Sequence, residues 1–191
     1  MKKSIAIILG ITSIFLFGPI GILIFILIYK RSLAGKGRSY STREFRGYLQ
    51  EGLRFTNGTL TGKDLRDAIL YAMEQELKEK NIPAKVLPAA VASRKIFAFN
   101  WMPMLVIKNT EPGKKYFDMG IVVNYNTVTF PLLGESKENT RNNMHNMYKN
   151  ERTFSGDVKS MFYRADEFKL QSEANWQQDV LDCFANAVLD E

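Results

Sequence analysis

The chain begins with a long run of apolar positions. Between residues 5 and 29 no side chain is charged, and isoleucine, leucine and phenylalanine dominate. A helix of this length reaches roughly 37 Å, enough to cross a hydrocarbon core of about 30 Å. The pattern therefore predicts a short tail over residues 1–4, a single transmembrane helix over residues 5–29, and a polar domain behind this anchor.

Six basic residues follow the apolar run closely. They are Lys30, Arg31, Lys36, Arg38, Arg43 and Arg46. Residues 30–40 are rich in glycine, serine and basic residues, which predicts a flexible juxtamembrane linker whose charges contact the anionic headgroups of the lipid bilayer. Because the more basic flank of a span is normally cytoplasmic, the domain is predicted to be cytoplasmic.

A cleaved secretory signal peptide is the alternative interpretation of the same run. Ser32 and Ala34 are small residues at the spacing that a cut before Gly35 requires. However, signal-peptide cores run about 7–15 residues, and this apolar run is longer and ends at a basic stop. The pattern therefore favours an anchor that remains part of the protein.

Residues 41–191 are predicted to form one soluble domain whose helices lie at its two ends. Ser41 and Glu44 match a capping box, which predicts a first helix ending near Asn57. Apolar residues recur at helical spacing between Thr61 and Asn81, and again over residues 172–189. These two segments are therefore predicted as amphipathic helices.

The middle of the domain changes to the two-residue alternation of strands. Pro88 weakens the first of these strands and places it at a sheet edge or in a bulge. The predicted strands span residues 84–93, 95–101, 104–108, 116–123 and 127–133, the last two joined as a hairpin. Residues 134–150 are predicted as a loop with room for a short helix, and residues 158–168 are ambiguous between helix and strand. The predicted fold is α+β, with a small antiparallel sheet of about four strands and helices packed on one face.

The net charge of +6 arises next to the apolar run. From Gly47 onward the chain has 18 basic and 19 acidic residues, a net charge of −1. Nucleic-acid binding needs a basic face on the folded surface, so this balance argues against nucleic acid as a partner.

Residues that could carry chemistry are few. Gly58 and Gly62 open a segment similar to a phosphate-binding loop, but the glycine spacing is short and Asp64 replaces the hydroxyl that would meet magnesium. His145 and Cys183 are each the only residue of their kind. We therefore predict no catalytic residues, no cofactor and no metal.

Phe97, Phe99 and Trp101 form an aromatic stripe at strand spacing. Such stripes are usually core, and a partner-binding surface is the alternative. The sequence thus predicts a single-pass membrane-anchored protein whose small cytoplasmic domain is a protein-interaction or accessory module at the membrane surface, with a protein partner that the sequence does not identify. An extracytoplasmic domain of an envelope, secretion or conjugation complex is the second hypothesis. An enzyme with dispersed catalytic residues is the third.

Overall fold

The computed structural model describes residues 19–35, 37–54, 59–92, 101–151 and 153–189. These residues form an α+β fold in which helices pack on a mixed sheet. In chain order the elements are α1 (Pro19–Ala34), β1 (Ser39–Ser41), a 3-10 turn (Thr42–Glu44), β2 (Phe45–Arg54), α2 (Gly62–Glu79), β3 (Ala84–Ala92), β4 (Trp101–Asn109), β5 (Asp118–Asn124), β6 (Thr127–Leu133), α3 (Lys137–Asn150), α4 (Phe154–Phe162) and α5 (Glu167–Leu189).

The sheet is curled, because a very short connection joins its two edges. The strand order is β1-β3-β4-β5-β6-β2, so β1 and β2 lie at opposite edges. A flat sheet of six strands would hold its edge strands roughly 24 Å apart. The four residue steps from Ser41 to Phe45 span at most about 14 Å, and the sheet must therefore bend until its edges approach.

The prediction of about four antiparallel strands is wrong. The sheet has six strands, and β1 pairs with β3 in parallel while the other pairs are antiparallel. The capping box of Ser41 and Glu44 does form, but it closes only the 3-10 turn, and β2 follows in place of the predicted first helix. Three register shifts interrupt the pairing of β2 with β6. Each bulge breaks the two-residue alternation, which is why the apolar positions of this segment fall at helical spacing.

The prediction of a transmembrane helix, and with it a single-pass membrane protein, is contradicted. Within the described ranges, no helix combines the length and the apolar character that crossing a membrane requires. The helix that covers part of the apolar run is α1, which has 16 residues and continues past Tyr29 through Lys30 and Arg31. Its C-terminal end packs on the domain, where Leu33 and Ala34 are buried beside Ala90. Residues 1–18 of the predicted tail and span lie outside the described residues.

The main core lies between the sheet and two helices. Side chains of β4, β5 and β6 that point to one face of the sheet pack against α2 and α5. At its centre Phe130 meets Phe184 edge to face, with 4.8 Å between ring centroids. The opposite face of the sheet encloses a smaller apolar cluster, formed by Tyr40, Ala89, Val91, Met104, Val106, Val122 and Leu133. Both faces of the sheet are therefore buried.

Several local predictions are confirmed. The helix that begins after Thr61 is α2, the C-terminal helix is α5, and Tyr125 and Asn126 form the turn of the β5–β6 hairpin. Among the described strands, Pro88 has no partner on one side, since β1 reaches only residues 90–92 of β3. Residues 134–150 were predicted as a loop with room for a short helix. The helix is present but is longer than predicted, because the Asn-rich sequence forms the 14-residue helix α3 with Ser136 as its N-cap.

Candidate functional site

Glu173 of α5 is a buried carboxylate at the centre of a polar network, and it is 2% exposed. It accepts hydrogen bonds from the backbone N–H of Phe117 at 2.9 Å, from the amide of Asn139 at 2.8 Å, and from the hydroxyl of Ser136. Ser136 is the N-cap of α3 and Asn139 lies in its first turn, where the helix dipole favours a negative charge. All contacts of Glu173 are thus internal, and the carboxylate joins α3, α5 and the start of β5.

A buried cation fastens α1 to the rest of the fold. Arg66 of α2 is 2% exposed, and its Nη1 donates to the carbonyl oxygens of Leu33 at 2.5 Å and Ala89 at 3.3 Å. Its Nε and Nη2 meet the carboxylate of Asp67 at 2.7 and 2.6 Å. Because Leu33 lies in the last turn of α1, the guanidinium also meets the negative end of that helix dipole.

A small cavity of about 290 Å³ lies between α5 and the β4–β5 connection. We call it the Trp176 pocket. It is lined by Pro83, Glu111, Lys114, Tyr116, Phe168, Gln171, Ser172, Asn175, Trp176 and Asp179. The rings of Tyr116 and Trp176 lie 5.7 Å apart at a tilt of 48°. The Trp176 indole N–H is buried and has no acceptor in the described part of the chain.

Polar contacts along the Trp176 pocket fix one of its sides. Lys114 contacts the carboxylate of Glu111 at 2.7 Å and the hydroxyl of Ser172 at 3.3 Å. The hydroxyl groups of Tyr116 and Ser172 lie 2.8 Å apart. The hydrogen bond to Glu111 raises the pKa of Lys114, so this side chain stays charged at neutral pH.

Helix α4 exposes its apolar side chains instead of burying them. Phe154 is 86% exposed, Met161 74% and Phe162 82%, and Val158 is exposed to a smaller degree. We call these four residues the α4 stripe. The opposite side of α4 carries Gly156 and Ser160, which are buried against α3. The usual orientation of an amphipathic helix is therefore reversed, since no described part of the chain covers the apolar face of α4.

The predicted lipid-contacting residues lie on the described surface, with one exception. Arg31, Arg38, Arg43 and Arg46 are exposed, while Lys36 lies outside the described residues. Arg38 is paired with Glu44 at 2.7 Å. Lys30 is half-buried and stacks over the Trp101 ring at 4.9 Å. Arg46 is exposed although its Nε donates to the carbonyl oxygen of Gly134 at 3.4 Å. Arg31, Arg43 and Arg46 are thus the exposed members of this set that contact neither a carboxylate nor an aromatic ring in the described part of the chain.

Of the predicted aromatic stripe, only Trp101 is described, and Phe97 and Phe99 fall outside the described residues. Trp101 starts β4, is half-buried, and packs with Tyr29 against Leu33, Ala34 and Ala90. Trp101 is thus part of the surface on which α1 packs. A role of the stripe in binding a partner stays a prediction.

The lone cysteine and histidine are used internally. Cys183 is fully buried in the main core, and burial raises the pKa of its thiol. The Nδ1 atom of His145 lies 2.9 Å from the carbonyl oxygen of Ser160, which ties α3 to α4. Across the described ranges no group of three or more His, Cys, Asp or Glu side chains is placed to hold a metal ion.

No protein family, curated protein or solved structure matches this chain.

Sequence reasoning missed both surfaces. Residues 158–168 taken alone are ambiguous between helix and strand. When the segment is extended back to Phe154, its apolar residues Phe154, Val158, Met161 and Phe162 repeat at helical spacing. The Trp176 pocket gives no local signal, because its residues come from three separate segments of the chain.

Proposed function

We propose that this protein is a protein-interaction module and that the α4 stripe is its main docking surface. The observation that carries this proposal is the exposure of Phe154, Met161 and Phe162 on a helix whose other side is packed. Large aromatic and methionine side chains are the residue types enriched at protein interfaces. Exposed contiguous apolar surface of this kind marks interaction sites on folded proteins.

A protein partner suits the α4 stripe better than a lipid surface. Helices that lie on membranes combine their apolar face with an excess of lysine and arginine. Between positions 149 and 169 the chain has five basic and four acidic residues, so the surroundings of the stripe are nearly neutral. We therefore assign to the stripe a partner protein with an apolar groove that receives one face of a short helix.

Replacing Phe162 with aspartate is expected to weaken partner capture by the full chain at least thirtyfold while leaving the fold intact. A central interface aromatic is worth about 2 kcal/mol or more, which corresponds to roughly a thirtyfold change in affinity. Because Phe162 is exposed in the isolated chain, the free energy of unfolding should change by less than about 0.5 kcal/mol. Quantitative capture from native extract, with a urea unfolding curve for each variant, measures both effects.

Tyr71→Asp is the matched control for this experiment. Tyr71 lies on the surface of α2 and is 69% exposed, so the substitution adds the same charge at an unrelated apolar position. The proposal requires that Tyr71→Asp keeps the partner that Phe162→Asp loses. Equal capture by both variants would show that the stripe is not the docking surface.

We further propose that the exposed basic residues near the N-terminal part of the domain contact anionic lipid peripherally. Arg31, Arg43 and Arg46 point to solvent, and the aliphatic side chains Ile20, Leu23 and Leu27 of α1 are exposed on the same N-terminal segment. Each basic residue near an anionic membrane surface contributes about 1 kcal/mol. This would place the interaction module beside a membrane.

Replacing Arg31, Arg43 and Arg46 together with glutamine is expected to weaken binding to phosphatidylserine vesicles roughly a hundredfold. Vesicle flotation at physiological salt measures the effect, with phosphatidylcholine vesicles as the uncharged comparison. Lys78, Lys85 and Lys149, all exposed, provide a control triple glutamine variant with the same change in net charge. If both triple variants float equally well, the basic residues of the N-terminal segment have no special role.

A further inference from the structure

The Trp176 pocket has the charge and the surfaces of a site for a basic side chain. Lys114 and Glu111 neutralise each other across 2.7 Å. Asp179, one further lining residue, has no ion pair and no hydrogen bond to its carboxylate in the part of the chain that the structure describes. The pocket therefore has a net charge of −1 and one carboxylate available to a cation.

Aromatic rings supply the second element of such a site. Tyr116 and Trp176 are neighbours in the lining, and Phe168, 82% exposed, stands at the rim. Guanidinium and ammonium groups are attracted to the faces of aromatic rings, and the attraction is strongest for tryptophan. Lys114 already lies 5.8 Å from the Tyr116 ring centroid, which shows that a cation is compatible with this wall.

The size of the Trp176 pocket limits what it can hold. Its volume of about 290 Å³ is at the lower end of the range for small-molecule sites. A nucleotide-sized cofactor would not be enclosed, and its phosphates would meet the unpaired carboxylate of Asp179. One long side chain with a terminal cation fits both the volume and the charge.

We propose that the Trp176 pocket binds an arginine or lysine side chain of a peptide segment. The aliphatic part of that side chain packs against Tyr116 and Trp176, and its cationic end pairs with Asp179. This inference extends the proposed interaction role, but it concerns a different surface from the α4 stripe and needs no knowledge of the natural partner. Failure of either proposal can therefore be recognised separately.

The test uses the full chain and two matched small probes. Nα-acetyl-arginine N-methylamide carries the guanidinium, and the corresponding citrulline compound has nearly the same shape without the charge. Binding is followed by NMR through the indole N–H signal of Trp176, which is assigned by its loss in Trp176→Phe. Because this N–H has no acceptor among the described residues, its chemical shift reports on changes at the neighbouring pocket wall.

We expect a saturable shift with the arginine probe and at least tenfold weaker binding of the citrulline probe. Asp179→Asn should weaken binding of the arginine probe about tenfold, since it removes the unpaired charge at constant shape. Asp182→Asn is the control, because Asp182 lies on the same helix, bonds to Gln178 at 2.8 Å, and does not line the pocket. It should bind the arginine probe within twofold of the unsubstituted chain. Equal binding of both probes, equal loss in the two variants, or no saturable shift would each overturn the proposal.

Discussion

Replacing Glu173 with alanine is expected to lower the free energy of unfolding by about 3–5 kcal/mol. The carboxylate accepts from Phe117, Ser136 and Asn139 inside the protein. Its removal leaves these donors without their charged acceptor and also leaves a gap at the first turn of α3. Glu173→Gln should show a smaller loss, because the amide oxygen can still accept while the amide nitrogen cannot. Urea unfolding at neutral pH measures both variants.

The control for this prediction is Glu74→Ala. Glu74 is exposed on α2, and its replacement should change the free energy of unfolding by less than about 0.5 kcal/mol. A loss at Glu173 as small as that of the control would mean that water can replace the lost acceptor. In that case the network would contribute little to the joining of α3 and α5.

Replacing Arg66 with methionine is expected to cost about 2–4 kcal/mol and to loosen α1. Methionine keeps much of the aliphatic volume but cannot donate to the carbonyl oxygens of Leu33 and Ala89. Asp67 is partly exposed, so its carboxylate can be solvated and the loss stays below that of a fully buried pair. Hydrogen exchange should accelerate in the last turn of α1, and urea unfolding should give the overall loss.

Two further variants make the Arg66 result specific. Arg43→Met removes an exposed arginine and should leave both stability and exchange unchanged. Arg66→Lys keeps the charge but lacks the planar guanidinium, whose several N–H groups donate in different directions. It should therefore retain only a minor part of the free energy of unfolding that Arg66 contributes. Normal protection of the α1 amides in Arg66→Met would show that the packing of Leu33 and Ala34 suffices to hold this helix.

Elements with strong local signals could be predicted from the sequence. Helix α2 combines a clear apolar face with closure at Asn81, whose φ of 53° is the left-handed conformation that ends helices. The β5–β6 hairpin was predictable because two β-branched runs flank Tyr125 and Asn126, the residues of its tight turn. In both cases the residues that specify the element are neighbours in the chain.

Elements that depend on distant residues could not be predicted. Strand β2 exists because it pairs with β6, more than 70 residues later, and its bulges conceal the alternation that identifies strands. Helix α3 has few apolar residues, and much of what orders it comes from Glu173 at its N-terminus and from α4 along its side. Tertiary contacts override weak local preference in both elements.

The basic residues and the α4 stripe likewise differ in how far the sequence alone predicts their exposure. The exposed position of the basic residues is a local matter, since long charged side chains remain in water wherever the chain permits. The exposure of Phe162 is not local, because it depends on which face of α4 the small residues Gly156 and Ser160 present to α3. Sequence alone suggests that the apolar face is buried, which is the opposite of the arrangement in the fold.

The curled sheet also limits how a partner can bind. Proteins that recruit extended peptides by adding a strand need a long, regular sheet edge with unpaired backbone groups. Here β1 covers only three residues of β3, the neighbouring Pro88 has no N–H to donate, and β2 is interrupted by three register shifts. Short, bulged and proline-bearing edges resist strand addition, and with it edge-to-edge aggregation. In the proposed interaction role, a partner would therefore contact helices and side chains of this protein, and not the backbone of a sheet edge.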